Sequence, residues 1–182
     1  MANLKSAYSI AGKKQKNDTH IIVVWVDNEA GVLARVVGLF SGRGYNIESL
    51  AVAEVDQKQN ISRITIVTTG TPQVIDQIKL QLKKLVPVHK VADFKREDKN
   101  VIFKEMALFK FVANNKKLIS ALNACRNYYP VVLDQTKKSQ VIQITALRRE
   151  IDKMSKNLTK FGLVSVSRTG AVAMTRGSDV FK

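Results

Sequence analysis

The 182-residue chain has little cysteine, proline or glycine and no long apolar stretch, and each shortage excludes a class of protein. Its one cysteine, Cys125, cannot form an intramolecular disulfide, which indicates a reducing compartment. Three prolines and nine glycines beside 45% hydrophobic residues argue against collagen, low-complexity filaments and disorder. The longest apolar run, residues 21–26, has six residues, whereas a membrane-spanning helix needs about 20. We therefore expect a soluble protein that does not enter a membrane, with one sizeable core or two small ones.

The first residues of the chain lack the marks of a targeting signal. They carry several lysines but neither an apolar core segment nor the arginine of a transit peptide, so we expect no export. We interpret residues 1–19 as a flexible N-terminal extension. The expected location is the cytoplasm, with a plastid stroma as the alternative.

The net charge of +15 is distributed unevenly along the chain. Residues 1–20 contribute +3, residues 21–98 contribute +1 and residues 99–182 contribute +11. The first half is electrically balanced, so its function need not involve polyanions. The basic second half, with pairs such as Arg148-Arg149, either faces an acidic partner or is simply well solvated.

Apolar periodicity in the first half predicts alternating strands and helices. β-Branched and apolar runs predict four strands, at residues 20–26, 47–53, 62–69 and 86–92. Apolar residues at spacings of three and four predict two helices, which begin at Val32 and at Thr71-Pro72. The order βαββαβ is the split βαβ unit of the ferredoxin-like class.

The same order of elements recurs after a charged linker. Residues 93–100 are nearly free of aliphatic side chains, and we place the linker at residues 94–101, between domains at 20–93 and 102–182. The second domain has four predicted strands, at residues 106–112, 130–135, 140–145 and 163–167, and two predicted helices, at residues 114–128 and 148–161. The sequence therefore predicts an α+β protein made of two ferredoxin-like βαββαβ domains in tandem.

The segment from Asn28 to Leu33 is the first candidate binding site. Gly31 lies where a strand-to-helix loop exposes its backbone N–H groups, which attract a carboxylate or phosphate at the positive end of the helix dipole. The Asn28 side chain can address an ammonium group, and Val32 and Leu33 can form an apolar wall. This combination suits a zwitterionic aliphatic amino acid. The alternative is that Asn28 only caps the helix and Gly31 only eases the turn.

Two longer motifs resemble a known family. The string NEAGVLARVVGLFSGRGYNIESLAV, residues 28–52, resembles the ACT domain of the small, regulatory subunit of acetolactate synthase, also called acetohydroxyacid synthase. The string FGLVSVSRTGAVAMTRG, residues 161–177, resembles the end of the same subunit's C-terminal domain. The resemblance implies an ACT domain followed by an ACT-like domain that contacts the catalytic subunit.

The resemblance also implies a function and partners. A homodimer is expected to bind valine, leucine or isoleucine where the loop of one subunit meets the start of a strand in the other. The implied effector-binding residues are Asn28, Ala30, Gly31, Val32, Leu33, Asn46 and Ile47. The chain itself is expected to be non-catalytic and without cofactors, activating a large catalytic subunit that carries thiamine diphosphate, magnesium and FAD and transmitting feedback inhibition to it.

Other chemical functions have weaker support in the sequence. His20 and His89 are too few for a three-ligand zinc site, and Cys125 lies on an apolar helix stripe. Gly42-Arg43-Gly44 lacks the rest of a phosphate-binding motif, and no serine has a nearby base in sequence. We thus expect no catalytic residues and no metal. The alternative function is a free-standing amino-acid sensor or an RNA-binding module, although the aromatic pattern of an RNA-binding sheet is not evident.

Overall fold

The computed structural model of the chain describes residues 17–96 and 98–178. The described residues form two α+β units, each built from an antiparallel sheet and two helices, as the sequence predicts. Most of the predicted N-terminal extension, residues 1–16, lies outside the described part of the chain. Its last two residues, Asp18 and Thr19, belong to the first strand instead of a flexible segment.

The N-terminal unit follows the predicted βαββαβ order. Its elements are β1 (Asp18–Asp27), α1 (Val32–Ser41), β2 (Ser49–Asp56), β3 (Ile61–Gly70), α2 (Pro72–Leu82) and β4 (Val88–Lys95). The strands lie in the order β2-β3-β1-β4, so β2 and β4 form the edges of the sheet. Thr71 caps α2 by accepting a hydrogen bond from the backbone N–H of Val74, and Pro72 occupies the first turn.

The apolar run in β1 is continuous because both faces of this central strand are covered. Ile22, Val24 and Val26 face the two helices and join the first hydrophobic core. Ile21 and Val23 face the opposite side and join a separate cluster. A strand with one solvated face would instead alternate between apolar and polar residues.

The C-terminal unit repeats the architecture with differences at its ends. Its elements are β5 (Val101–Val112), α3 (Asn115–Ala124), β6 (Val131–Gln135), β7 (Ser139–Ala146), α4 (Arg148–Leu158), β8 (Leu163–Arg168) and β9 (Val172–Thr175). Both predicted helices end earlier than expected, and a short 3₁₀ turn follows each. The sheet order is β6-β7-β5-β8.

Two strand segments were not predicted from the sequence. β5 begins at Val101 instead of residue 106, and β9 pairs with this first part of β5. β4 also continues to Lys95, so strands enter the predicted linker 94–101 from both sides. The segment between the two sheets is consequently shorter than the charge pattern suggested.

The early part of β5 and β9 cover the outer face of the N-terminal sheet. A hydrophobic cluster there joins Ile21 and Val67 of the N-terminal unit to Val101, Ala171 and Ala173 of the C-terminal unit, all of them buried. Arg63 of β3 also donates a hydrogen bond to the carbonyl oxygen of Ala173. Apolar burial therefore joins the two units in addition to the covalent connection.

Gly162 supports a first stability prediction. Its backbone has φ +89°, and a Cβ placed on it would lie 2.7 Å from the carbonyl oxygen of Val112. Gly162→Ala should lower the free energy of unfolding by about 2 kcal/mol or more, since left-handed strain alone costs about 1–2 kcal/mol. Thermal and urea unfolding measure the change.

Gly44→Ala is the matched control for this prediction. Gly44 also has a positive φ, +68°, but a Cβ there would meet nothing within 4 Å. The Gly44→Ala variant should therefore lose only about 1 kcal/mol of its free energy of unfolding, from the left-handed backbone strain. Equal losses in the two variants would contradict a steric role for the contact with Val112.

Candidate functional site

The loop between β1 and α1 has the geometry of a small anion site. Gly31 is the N-cap of α1 in the left-handed conformation, φ +83°, and no side-chain hydrogen bond caps this helix within the described structure. The first helical hydrogen bond runs from the N–H of Arg35 to the carbonyl oxygen of Gly31, 3.0 Å. The N–H groups of Leu33 and Ala34 precede it in the first turn, which also contains no acidic residue. Such groups favour a bound anion.

Asn28 has a different role from a helix cap. Its Oδ1 accepts a hydrogen bond from the hydroxyl of Ser62, 3.0 Å, and its backbone N–H donates to the carbonyl oxygen of Asn60, 2.7 Å. The alternative interpretation of Asn28 as the N-cap is wrong, because that position belongs to Gly31. Asn28 instead fixes the loop against the start of β3 and remains exposed.

The residues expected to form the apolar wall separate into two groups. The Leu33 side chain is 40% exposed, and Val37, one helical turn further on, is 37% exposed. Val32 is only 3% exposed and packs in the first core, so its side chain does not face the loop surface. Ala30 is exposed on the loop. The apolar surface beside the exposed N–H groups therefore comes from Leu33 and Val37.

Asn46 and Ile47 lie at the other end of the same sheet. The carbonyl oxygen of Asn46 accepts a hydrogen bond from the hydroxyl of Thr68, 2.7 Å, whereas Asn28 contacts Ser62. Thr68 and Ser62 are six residues apart on β3, which corresponds to about 20 Å along a strand. A single chain thus does not bring Asn46 and Ile47 to the β1–α1 loop.

The strand that follows Asn46 and Ile47 is an edge strand with an apolar groove beside it. β2 pairs only with β3 among the described strands. The groove has a volume of about 590 Å³ and is lined by β2 residues such as Leu50 and Val52 and by β9 residues such as Val172 and Met174. Exposed apolar edges of this kind are typical of surfaces that pair with another chain.

The start of β2 also contacts the C-terminal unit. Nη2 of Arg148 lies 3.6 Å from Oε2 of Glu48, and the N–H of Ala171 donates to Oγ of Ser49, 3.3 Å. Glu48 and Ser49, which make these contacts, follow Asn46 and Ile47 directly in the chain. The segment that contains Asn46 and Ile47 therefore continues directly into residues that contact the C-terminal unit.

Side chains with catalytic potential are engaged in structural contacts. His20 pairs with Asp93 at 2.7 Å and His89 with Asp27 at 2.6 Å. Burial raises the pKa of the Cys125 thiol to about 11, so it stays protonated and unreactive near neutral pH, and it packs in the second core as predicted. Within residues 17–96 and 98–178, no three His, Cys, Asp or Glu side chains are placed to hold a metal ion. No helix in that part of the chain is long and apolar enough to span a membrane.

Two ferredoxin-like units in tandem, the first with a glycine-opened helix N-terminus, form the α+β architecture of ACT-domain proteins. Residues 22–90 match the model of the acetohydroxyacid synthase small subunit-like ACT domain, and residues 104–177 match that of the small subunit of acetolactate synthase. The chain therefore belongs to the acetolactate synthase small-subunit family, and its role is that of a regulatory subunit with an ACT domain.

Individual relatives support this assignment. The chain is 36% identical to a probable acetolactate synthase small subunit of Methanothermobacter thermautotrophicus, over 88% of this chain and 95% of that protein. It is 38% identical to the small subunit of Aquifex aeolicus, over 86% of this chain and 81% of that protein. The crystal structure of the Thermotoga maritima small subunit superposes with a TM-score of 0.77 at 29% identity, covering 88% of this chain and 99% of that one. The family resemblance drawn from the sequence motifs is confirmed.

Proposed function

We propose that this chain activates the catalytic subunit of acetolactate synthase and transmits feedback inhibition by a branched-chain amino acid bound between two of its ACT units. The observation that carries the proposal is the left-handed Gly31 at the start of α1, which leaves N–H donors free beside the exposed Leu33. Valine, leucine and isoleucine fit this surface. Their carboxylate can accept hydrogen bonds from these N–H donors, and their aliphatic side chain can pack against Leu33 and Val37. Thiamine diphosphate, magnesium and FAD belong, in this proposal, to the catalytic subunit in the cytoplasm or a plastid stroma.

In this proposal two copies of the chain form a homodimer through the edge strand β2. Two β2 strands that pair antiparallel about a twofold axis place the start of one strand opposite the end of the other. Asn46 and Ile47 of one subunit then approach the β1–α1 loop of its partner, because the loop contacts Asn60 near the end of β2. The effector would bind between the two subunits and favour one arrangement of the dimer.

The contacts of Glu48 and Ser49 give the effector a route to the catalytic subunit. These residues follow the proposed binding residues directly and contact Arg148 and Ala171 of the C-terminal unit. We propose that the C-terminal unit contacts the catalytic subunit. The net charge of +11 over residues 99–182 agrees with such a contact surface. Coupling is reciprocal, so a catalytic subunit that prefers the effector-free form must weaken effector binding by the same factor.

Reconstitution with the catalytic subunit tests the proposal. Addition of the purified chain should raise the rate of acetolactate formation, and titration with valine should then lower it. A rate that changes neither with the chain nor with valine would contradict the regulatory role. Valine binding without any effect on the rate would indicate the alternative, a free-standing sensor.

Asn46→Ala tests whether the partner subunit reaches the effector. The hydrogen bond from Thr68 goes to the backbone carbonyl of Asn46, so the substitution leaves it intact. We expect valine to bind about tenfold more weakly by calorimetry, the effect of losing one hydrogen bond to a charged group. Asn123→Ala, at an exposed position on α3, is the matched control and should bind valine normally. Normal affinity in Asn46→Ala would count against a site shared between subunits.

A further inference from the structure

A second, smaller pocket lies at the junction of the two units. It has a volume of about 110 Å³ and is lined by parts of β1, β3 and β5 and by the N-terminal end of α4. The β1–α1 loop does not contribute to it. A pocket of this size holds a molecule of a few heavy atoms rather than a peptide or a nucleotide.

The floor of this junction pocket is apolar and comes from both units. Ile21 and Val67 of the N-terminal sheet are buried, and Phe103 of β5 is half-buried beside them. Leu147, which precedes α4, and Ala171 complete the apolar surface. A ligand in contact with this floor would therefore touch both units at once and include an apolar body.

The rim of the pocket is basic. Four of its lining residues are cationic: Arg96, Lys104, Arg148 and Arg149. None of the described lining residues is acidic. Nη1 of Arg148 is buried and has no hydrogen-bond partner in the described structure. Like charges gathered on one rim repel each other, so a bound anion would stabilise them.

Two acidic groups near this pocket, one from each unit, already have partners. Glu48 lies against Arg148, with Oε2 3.6 Å from Nη2. Glu150 accepts a hydrogen bond from the N–H of Leu147, 3.0 Å, as part of the cap of α4. Lys104 and Arg149 are exposed and form no ion pair with a described residue, so their charges remain available to a ligand.

We propose that the junction pocket binds a small organic monocarboxylate with a short apolar body, which holds the two units together. The carboxylate would contact the basic rim, and the apolar body would cover Ile21, Val67 and Phe103. Inorganic phosphate lacks the apolar body. A free amino acid carries an ammonium group that the net positive charge of this rim repels. The pocket thus selects a different ligand from that of the β1–α1 loop.

Isovalerate, the carboxylate of valine's carbon chain without the ammonium group, is the probe for this site. Calorimetry on the full chain should detect saturable binding of isovalerate, and 3-methylbutylamine, which has the same apolar body with a cation, should not bind. Inorganic phosphate should bind at least about tenfold more weakly than isovalerate. Equal affinities for isovalerate and phosphate, or no binding of isovalerate, would overturn the proposal.

Charge-removing variants locate the binding to this pocket. Lys104→Ala and Arg149→Ala change exposed residues, so the fold should persist, and each should weaken isovalerate binding about threefold to fivefold. Lys153→Ala removes an exposed charge from the same helix as Arg149 but outside the pocket, and it should leave the affinity unchanged. The same loss in all three variants would indicate nonspecific charge attraction and overturn the assignment.

The proposal is separable from the effector site. Gly31→Asp alters the β1–α1 loop and should leave isovalerate binding unchanged, whatever it does to valine. Saturating isovalerate should also raise the melting temperature of the wild-type chain, because the ligand binds the joined units and not the unfolded chain. Loss of isovalerate binding in a Gly31→Asp chain that keeps the wild-type melting temperature would place the carboxylate at the effector loop and contradict a second site.

Discussion

Gly31→Asp is expected to abolish inhibition by valine while the chain still activates the catalytic subunit. The substitution places a carboxylate at the N-terminus of α1, where the effector's own carboxylate is proposed to bind. Two like charges about 4 Å apart at an effective dielectric of about 20 repel by about 4 kcal/mol, which predicts a loss of affinity of more than about 100-fold. The rate of the reconstituted enzyme against valine concentration, together with calorimetry, measures the loss.

Gly31→Asn separates charge from backbone strain. Asparagine has nearly the shape of aspartate and tolerates the left-handed conformation that Gly31 adopts at φ +83°. A Cβ at this position would meet nothing within 4 Å. The asparagine variant should therefore retain most of its sensitivity to valine. Loss of activation together with inhibition in both variants would show that Gly31 serves the fold and not the ligand.

The regular elements were predictable from sequence because each follows a local pattern. The continuous run in β1 and the apolar stripe of α1 depend on neighbours within a few residues. β9 has only four residues, Val172–Thr175, and forms because it meets β5 some 70 residues earlier in the chain. Nothing local distinguishes such a segment from a loop.

The candidate site was predictable only in part for a similar reason. Gly31 stands out because a glycine between a predicted strand and a predicted helix marks a loop that exposes backbone N–H groups, and this pattern is local. The burial of Val32 and the contact of Asn28 with Ser62 depend on how the helix and β3 pack. The junction pocket combines residues from the beginning and the end of the chain, so no sequence spacing indicates it.

Arg168→Met is expected to cause the largest loss of stability. Arg168 donates two hydrogen bonds to Glu105, at 2.7 and 2.8 Å, and Glu105 is only 2% exposed. These hydrogen bonds raise the pKa of Arg168 above its ordinary value, so the guanidinium stays charged. Glu105 is buried, whereas the Arg168 side chain is 29% exposed. Removal of the arginine leaves the buried carboxylate without its partner, which should cost about 3 kcal/mol, the lower end of the range for buried pairs. Chemical unfolding should show this loss, with a fall in melting temperature of about 10 °C.

Asp152→Asn and a double variant identify the origin of this loss. Asp152 also pairs with Arg168, at 2.7 Å, but its side chain is 45% exposed, so its neutral isostere should cost less than about 1 kcal/mol. Glu105→Gln combined with Arg168→Met removes both charges of the pair, including the buried one of Glu105, and should recover part of the stability that Arg168→Met loses. If the double variant is as unstable as the sum of the single variants, the loss arises from the packing of the arginine side chain. Partial recovery would instead show that the unpaired carboxylate is what destabilises the C-terminal sheet, next to the segment through which Ala171 contacts Ser49.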